Sequence, residues 1–255
     1  MKTLIKIKDI SVDYDLDEET IGAINNVSLE IHENEFVCIL GPSGCGKSTL
    51  LKTIAGFVIP NEGEILMNDM KITGPDKSRG VVFQETNLFP WYNVKRNVSI
   101  GPKLAKKSTE EINSICDKYL EQVELEEYKD SRVFELSGGQ RQRVAIARTL
   151  ANNPQVILMD EPFGALDSFT RKKMQMMIRV LWKKNNSTIF FVTHDIDEAL
   201  LLGTKIYVMR RGEKSIVTNY DVDYTNRLLI NPKEHVTDEE KFIKLKEEIL
   251  SLLEE

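Results

Sequence analysis

The chain has 255 residues, of which 41% are hydrophobic and 29% charged, enough for one or two domains with a substantial core. Its 34 Lys and Arg against 40 Asp and Glu leave a formal net charge of −6, which disfavours a surface that coats nucleic acid. The N-terminal residues alternate apolar and charged side chains, and no run approaches the roughly 18 apolar residues that span a bilayer. If the chain works at a membrane, we therefore expect a peripheral subunit.

The predicted elements alternate between strand and helix along most of the chain. The predicted strands are, in chain order, residues 1–8, 20–35, 35–40, 63–67, 80–84, 156–159 and 188–192. The predicted helices begin near Ser48, Ser108, Arg141, Ser168 and Asp195, and a last one lies in the tail. Strands interleaved with helices predict an α/β fold with a mostly parallel sheet covered on both faces.

Three features mark the interruptions and the end of this alternation. The proline-containing stretch 89–102 is expected to break the pattern. A capping-box sequence at Ser108 precedes apolar residues at helical spacing, so a helical segment interrupts the α/β alternation. A second capping-box sequence, beginning at Thr237, predicts the start of an amphipathic C-terminal helix.

Three scattered cysteines, Cys38, Cys45 and Cys116, lack metal-ligand spacing and indicate a reducing compartment.

The segment from Gly41 to Ser48 fits the phosphate-binding pattern G-x-x-x-x-G-K-[ST] and lies between a predicted strand and a predicted helix. Glycines let successive backbone N–H groups turn inward as an anion nest, and the helix N-terminus adds a partial positive charge. Lys47 is expected to reach the outer phosphates of a nucleotide, and Ser48 to place its hydroxyl on Mg²⁺. The alternative is a glycine-rich structural turn, but such a turn needs neither the lysine nor the strand and helix on either side.

Two adjacent carboxylates, Asp160 and Glu161, follow the buried strand 156–159. Ligands of α/β sheets bind at the carboxyl ends of the strands, and alternation along a strand sends neighbouring side chains in different directions. Asp160 is therefore expected to serve hydrated Mg²⁺, and Glu161 to face an attacking water as general base. The alternative is a strand end that meets solvent.

The sequence Leu136-Ser137-Gly138-Gly139-Gln140 precedes a strongly helical run. A serine and two glycines at a helix N-terminus form a second anion site, although such a turn on its own is usually a helix N-cap.

Together with Ala165-Leu166-Asp167 and Thr193-His194-Asp195, these motifs resemble the nucleotide-binding subunit of an ABC transporter, in the order and roughly the spacing of that family. The Leu-Ser-Gly-Gly-Gln element is the signature of the family. The resemblance covers nearly the whole chain. It implies a P-loop NTPase (RecA-like) core with an N-terminal antiparallel β subdomain and an inserted helical subdomain at about 86–148. Residues 1–215 would form the nucleotide-binding domain and residues 216–255 a short C-terminal extension.

The resemblance also assigns roles to residues. In ABC ATPases two subunits sandwich ATP between the phosphate loop of one and the signature of the other, so the signature acts in trans. Gln84 would reach Mg²⁺ and the lytic water, His194 would contact the γ-phosphate, Tyr14 would stack on adenine, and Asp167 would lie in the D-loop at the dimer interface. The ATP-binding residues would be Tyr14, Gly41, Pro42, Ser43, Gly44, Cys45, Gly46, Lys47, Ser48 and Thr49; the signature residues Ser137, Gly138, Gly139 and Gln140; the catalytic residues Gln84, Glu161 and His194; the Mg²⁺ ligands Ser48, Gln84 and Asp160.

Local sequences around Gly74-Pro75 and Leu88-Phe89-Pro90-Trp91 are similar to the nitrate, sulfonate and taurine importer branch of the family. Gln140 departs from that branch, where many members carry methionine. The resemblance implies an ATP-hydrolysing subunit that energises the import of a small solute, such as nitrate, a sulfonate, taurine, a related anion or a vitamin precursor. It further implies a homodimer on the cytoplasmic face of the plasma membrane that binds transmembrane permease subunits and works with an extracytoplasmic solute-binding protein, without nucleic acid. The alternative is a soluble, non-transport ABC ATPase that acts on macromolecules.

The aromatic cluster, Phe89, Trp91 and Tyr92 around Pro90, allows two interpretations. It would form either a small core under the helical segment or, as in relatives, a groove for a helix of the permease.

Overall fold

A computed structural model of the chain describes residues 2–16 and 19–254. Within them the strands β1 to β10 are Thr3–Leu16, Glu19–His32, Phe36–Leu40, Glu62–Met67, Met70–Lys71, Arg79–Val82, Val156–Asp160, Thr188–Thr193, Lys205–Met209 and Ile216–Asp221. The helices α1 to α8 are Lys47–Ala55, Val94–Leu104, Thr109–Gln122, Gly138–Leu150, Ser168–Asn185, Ile196–Leu202, Tyr224–Ile230 and Glu240–Glu254. Short 3₁₀ helices are Glu126–Tyr128, Val133–Glu135 and Val236–Asp238. No helix among the described residues combines the length and the apolar character needed to cross a membrane.

The chain forms two compact units, Met1–Asp76 with Trp182–Glu255, and Lys77–Leu181. In the first unit, an antiparallel sheet has the strand order β2-β1-β4-β5. β1 and β2 pair along their whole length, from Thr3 opposite His32 to Leu16 opposite Glu19. An N-terminal antiparallel β region is therefore present.

The first unit also contains the strands β10, β9, β3 and β8 as neighbours in that order. β3 lies parallel to β8 and β9, whereas β10 pairs antiparallel with β9. Every residue of β3 and of β8 is buried, as expected for strands of a parallel sheet covered on both faces. Phe36 of β3 contacts the rings of Trp182 and Phe191 at centroid distances of 6.0 and 5.8 Å. These ring contacts pack the start of β3, whose other end leads into the loop 41–46.

In the second unit, β6 pairs in parallel with β7, and α2, α3 and α4 pack on one another. Ser108 caps α3 in a capping box with Glu111, as predicted. The expectation that residues 89–102 break the pattern is wrong, because α2 occupies Val94–Leu104 with Pro102 inside it. Asn93 caps this helix by accepting from the N–H of Arg96 at 2.8 Å. Pro102 falls in the last turn, where its missing N–H costs a single intrahelical bond.

The C-terminal residues of the first unit add elements that the sequence did not predict, namely β9, β10 and α7. The predicted start of the last helix at Thr237 is wrong: a 3₁₀ turn occupies Val236–Asp238, and α8 begins at Glu240. Burial of Val236 and the pairing of Glu239 with Arg227 explain the shift. They hold Glu239 in an extended conformation directly before the helix, where its carbonyl accepts the N–H of Ile243 at 3.0 Å.

Candidate functional site

The predicted phosphate loop connects β3 to α1 in the first unit, and its glycines are required by its geometry. Gly44 and Gly46 have φ values of 78° and 99°, in the left-handed region that disfavours side chains. A Cβ at Gly46 would lie 2.3 Å from the carbonyl oxygen of Ala23, and one at Gly41 only 2.2 Å from that of Met209. The backbone of the loop is therefore closely packed from below, while Pro42, Ser43 and Gly44 at its crest are exposed.

Lys47 begins α1 and is only 4% exposed. Its Nζ donates hydrogen bonds to the carbonyl oxygens of Gly41 and Pro42, each at 2.9 Å. The ammonium is thus held inside the loop that it follows. Ser48 and Thr49 are half-buried in the first turn of the same helix, and Cys45 is buried, which raises the pKa of its thiol.

Tyr14 lies beside this turn. Its hydroxyl is 3.5 Å from Oγ1 of Thr49, a contact at the outer limit of a hydrogen bond, and its side chain is 38% exposed. The structure therefore brings Tyr14 to the start of α1, with its side chain accessible.

His194, also in the first unit, occupies the short link between β8 and α6 and is exposed. Residues on both sides of it are anchored. The hydroxyl of Thr193 accepts from the N–H of Asp195 at 3.0 Å and donates to Glu198 at 2.6 Å. Asp195 in turn caps α6 by accepting from the N–H of Glu198 at 3.0 Å. His194 is therefore presented to solvent from a link whose backbone is fixed.

In the second unit, Asp160 ends β7 and Glu161 follows it, both partly exposed. Glu161 has a φ of 43°, a left-handed conformation that is rare for this residue type and is typical of strained functional sites. A Cβ at Gly164 would lie 3.4 Å from Nε2 of Gln84 and 3.9 Å from Oε2 of Glu161. The structure thus brings Gln84 and Glu161 to the same small space, which exists because residue 164 has no side chain.

The signature segment also lies in the second unit, where Ser137 is the N-cap of α4. Its hydroxyl accepts from the N–H of Gln140 at 3.3 Å, and Oε1 of Gln140 accepts from the N–H of Ser137 at 2.8 Å. This capping box explains Gln140, since an amide oxygen at this position closes it and a methionine would not. Gly138 and Gly139 form the first turn, with unpaired N–H groups expected at such a helix start.

Asp167 lies next to this segment within the second unit. Its Oδ1 accepts hydrogen bonds from the N–H groups of Thr170 and Phe169 at 3.0 and 3.1 Å. Hydrogen bonds from Thr170, and then from Phe169, hold the pKa of this carboxyl below its usual range. A Cβ at Gly139 would lie 2.7 Å from Cγ2 of Thr170. The structure therefore brings the signature and the predicted D-loop together.

The aromatic cluster forms no closed core. The rings of Phe89 and Trp91 are 5.7 Å apart and those of Trp91 and Tyr92 6.1 Å apart, but Trp91 is 63% exposed. Buried Asn97 fixes the backbone below it: its Oδ1 accepts from the N–H of Phe89 at 2.9 Å, and its Nδ2 donates to the carbonyl of Phe89 at 3.2 Å. The result is an exposed aromatic surface on a rigid base.

Sequence reasoning missed the end of β9. Besides the approach of its carbonyl to Gly41, Met209 places Cε 3.0 Å from where a Cβ of Gly46 would lie. A short apolar strand carries no local signal that it will meet a loop more than 160 residues earlier in the chain.

Among the described residues, no group of three or more His, Cys, Asp or Glu side chains is arranged to hold a metal ion. The predicted Mg²⁺ ligands are instead a hydroxyl, an amide and a carboxylate, at Ser48, Gln84 and Asp160. This donor set fits Mg²⁺, which prefers oxygen ligands and commonly takes only one or two protein carboxylates beside phosphate and water.

The sequence profile of the family described as "ABC transporter" matches residues 24–164, which is more than half of the chain. The chain belongs to the ABC transporter family. The taurine import ATP-binding protein TauB of Ruegeria pomeroyi is 45% identical to this ABC protein over 98% of this chain and 93% of its own length. An uncharacterized ABC transporter ATP-binding protein of Methanocaldococcus jannaschii is 39% identical over 100% of this chain and 93% of its own.

Solved structures of ABC proteins have the same fold. A dimeric post-hydrolysis state of an ATP-binding cassette bound to ADP and Pi has a TM-score of 0.76 and 38% identity, and covers 86% of this chain and 99% of that chain. The protein cbiO1 from Clostridium perfringens, part of the ABC transporter complex cbiONQ, has a TM-score of 0.78 and 28% identity, covering 91% and 93%. The predicted α/β P-loop NTPase fold and the resemblance to the taurine branch are confirmed.

Proposed function

We propose that this ABC protein hydrolyses ATP to energise the import of taurine or a related small sulfonate through a membrane permease. The chain is the ATP-hydrolysing subunit of an ABC importer for small solutes. ATP binding is supported above all by the loop 41–46 and by Lys47, which follows it. The loop is too closely packed to admit side chains at Gly41 or Gly46, and its carbonyl groups hold the ammonium of Lys47. The solute is supported by the relatives named taurine import proteins, which match nearly the whole chain.

ATP binds with its phosphates in the loop and its base against Tyr14. The N–H groups of the loop and the N-terminus of α1 attract the phosphates, and Lys47 exchanges its carbonyl partners for phosphate oxygens. Exposed Pro42, Ser43 and Gly44 leave the crest of the loop open to the nucleotide. The proximity of Tyr14 to Thr49 supports its role as the adenine-stacking residue.

Hydrolysis requires a positioned water and stabilisation of the developing charge. The water oxygen attacks the γ-phosphorus, the bond to the β,γ-bridging oxygen breaks, and Glu161 accepts the water proton. The common space that Gln84 and Glu161 border supports their action on one water. His194 contacts the γ-phosphate. Ser48, Gln84 and Asp160 would hold Mg²⁺, which supplies charge neutralisation at the phosphates when bound.

The working unit is a homodimer in which the signature of one subunit, Ser137, Gly138, Gly139 and Gln140, faces the ATP held by the other. Ser137 and Gly139 contact its γ-phosphate. The N-terminal turn of α4 provides N–H groups that suit an anion. Asp167 shapes the adjoining interface by capping α5. The dimeric state of the solved ATP-binding cassette supports this arrangement.

The aromatic surface around Trp91, in the proposed helical subdomain 86–148, receives a helix of the permease on the cytoplasmic face of the membrane. Its support is the 63% exposure of Trp91, a large apolar side chain of a kind that interfaces commonly bury. An extracytoplasmic binding protein delivers the solute to the permease, and residues 216–255 form an extension of the nucleotide-binding domain.

Reconstitution with the cognate permease and solute-binding protein in vesicles tests the proposal. We expect ATP-dependent uptake of radiolabelled taurine, with none for E161Q. ATP hydrolysis with uptake of nitrate instead would contradict the assignment of taurine as the solute, but it would still support the importer function. ATP hydrolysis stimulated by RNA or ribosomes, with no binding to the permease, would favour the non-transport alternative.

Trp91→Ala tests the docking surface in the same vesicles. We expect uptake to fall at least tenfold while ATP hydrolysis by the isolated subunit stays within about twofold, since a central interface tryptophan commonly contributes 2 kcal/mol or more. The matched control is Leu104→Ala, which shortens another exposed apolar side chain of the same unit. Equal loss of uptake and isolated ATPase in W91A would instead indicate a structural role.

A further inference from the structure

Arg211 contacts the phosphate loop from a part of the chain to which no motif assigns a role. It follows the end of β9 closely, and its Nε donates a hydrogen bond to the carbonyl oxygen of Gly44 at 2.9 Å. One of its Nη atoms would lie 3.1 Å from a Cβ at Gly44. The guanidinium therefore packs directly against the crest of the loop.

This contact fixes the orientation of one peptide group. The C=O and N–H of a trans peptide point in opposite directions, so holding the Gly44 carbonyl outward turns the N–H of Cys45 inward. That N–H donates to the carbonyl oxygen of Pro42 at an N···O distance of 3.4 Å, a long contact that a phosphate oxygen can replace. Gly44 itself has a φ of 78°, a conformation that a glycine leaves easily unless something holds it.

The backbone that carries Arg211 is itself anchored. The N–H of Arg210 donates to the carbonyl of Ser215 at 2.9 Å, and the N–H of Ser215 donates to the carbonyl of Asn25 in β2 at 3.0 Å. The N–H of Asn25 donates in return to the hydroxyl of Ser215 at 2.8 Å. Nδ2 of Asn25 also donates to the carbonyl of Gly212 at 3.0 Å. The backbone is held on both sides of Arg211, so its side chain projects from a fixed position and restrains the phosphate loop.

We propose that Arg211 is a positioning residue for nucleotide binding, which holds the phosphate loop in its anion-binding conformation through the carbonyl of Gly44. The inference rests on the proposed ATP-binding function. It assigns no contact between Arg211 and the nucleotide. It predicts a lower affinity for the di- and triphosphate and an unchanged chemical step, because Gly44 belongs to the phosphate loop whereas the proposed base is Glu161.

The test compares R211M, which removes the donor, with R211K, which keeps a cationic donor of similar reach. Affinities are measured for ATP and ADP by titration calorimetry without Mg²⁺, and kcat and KM by phosphate release. For R211M we expect the Kd of ATP and ADP and the KM for ATP to rise about fivefold, with kcat within about twofold of wild type. R211K should recover at least half of the lost affinity.

Lys214→Met is the matched control, because it removes one positive charge from the same exposed turn. It should leave both Kd values unchanged. A fivefold rise in K214M as well would overturn the proposal in favour of a general charge effect, and so would wild-type affinity in R211M or a loss confined to kcat. Should R211M not be recovered folded, R211L, which also removes the donor, takes its place with the same expectation. If the wild-type chain binds no ATP, the proposed function fails; if it binds and R211M matches it, only this inference fails.

Discussion

Replacing Gly46 by alanine should destabilise the chain strongly. The added Cβ would lie 2.3 Å from the carbonyl oxygen of Ala23 and 2.4 Å from Cγ2 of Ile24, both parts of the packed strand β2. Overpacking of this kind costs about 1–3 kcal/mol. The φ of 99° adds about 1–2 kcal/mol for a residue with a Cβ. Together these give a loss of about 2–5 kcal/mol in the free energy of unfolding, out of a typical 5–15.

Urea unfolding followed by circular dichroism measures this loss, and a thermal melt should show a midpoint about 5–15 °C lower. Gly74→Ala is the matched control, because a Cβ there meets nothing within 4 Å. It should change stability by less than about 0.5 kcal/mol. If G46A and G74A unfold at the same urea concentration, the loop relieves the clash without cost, and close packing does not dictate the glycine.

Glu161→Gln should bind ATP like wild type but hydrolyse it at least 100-fold more slowly in a phosphate-release assay, because the amide cannot accept the water proton; near-normal turnover would remove Glu161 as base. Ser137→Ala and Ser108→Ala should each cost about 1 kcal/mol in urea unfolding, since both serines close capping boxes, but only S137A should reduce ATPase activity. Burial raises the pKa of Tyr207 to about 12 from 10.0, so its contribution to stability is complete below about pH 10 and is lost as the pH rises towards 12. Tyr207→Phe should therefore be less stable than wild type at about pH 9, and the difference in urea midpoint should shrink at about pH 11; a constant difference would contradict the shift.

Local patterns predicted the parts of the fold whose cause is local. The strand that ends at Asp160 and the capping box at Ser108 each depend on residues within one turn or one strand, and the positive φ values of the phosphate loop are marked by its own glycines. In each case the residue type indicates the local conformation: glycine indicates a positive φ, a run of apolar residues indicates a buried strand, and serine indicates a helix N–H group that needs a cap. The capping box at Ser137 belongs to the same class, and its structure accounts for Gln140 as well.

Long-range packing determined what the sequence did not predict. Pro102 signals a break, yet it falls in the last turn of α2, after the buried side chains of Val94 and Val98 have already fixed the first turns of the helix. The start of α8 depends on Arg227, which binds Glu234 and Glu239 across a turn and thereby holds the chain extended beyond the expected cap. β9 meets the phosphate loop only after folding, and no short window of sequence encodes that contact.

The burial of Lys47 determines when its ammonium group loses its water of hydration. An ammonium group loses hydration when it enters a protein interior, and its two carbonyl partners offset part of that loss. Because Lys47 is only 4% exposed, this loss occurs when the chain folds, and nucleotide phosphates then exchange with groups already in contact with the cation. The lysine is therefore dehydrated at folding and stays so between nucleotides, so the cost does not recur each time a nucleotide binds.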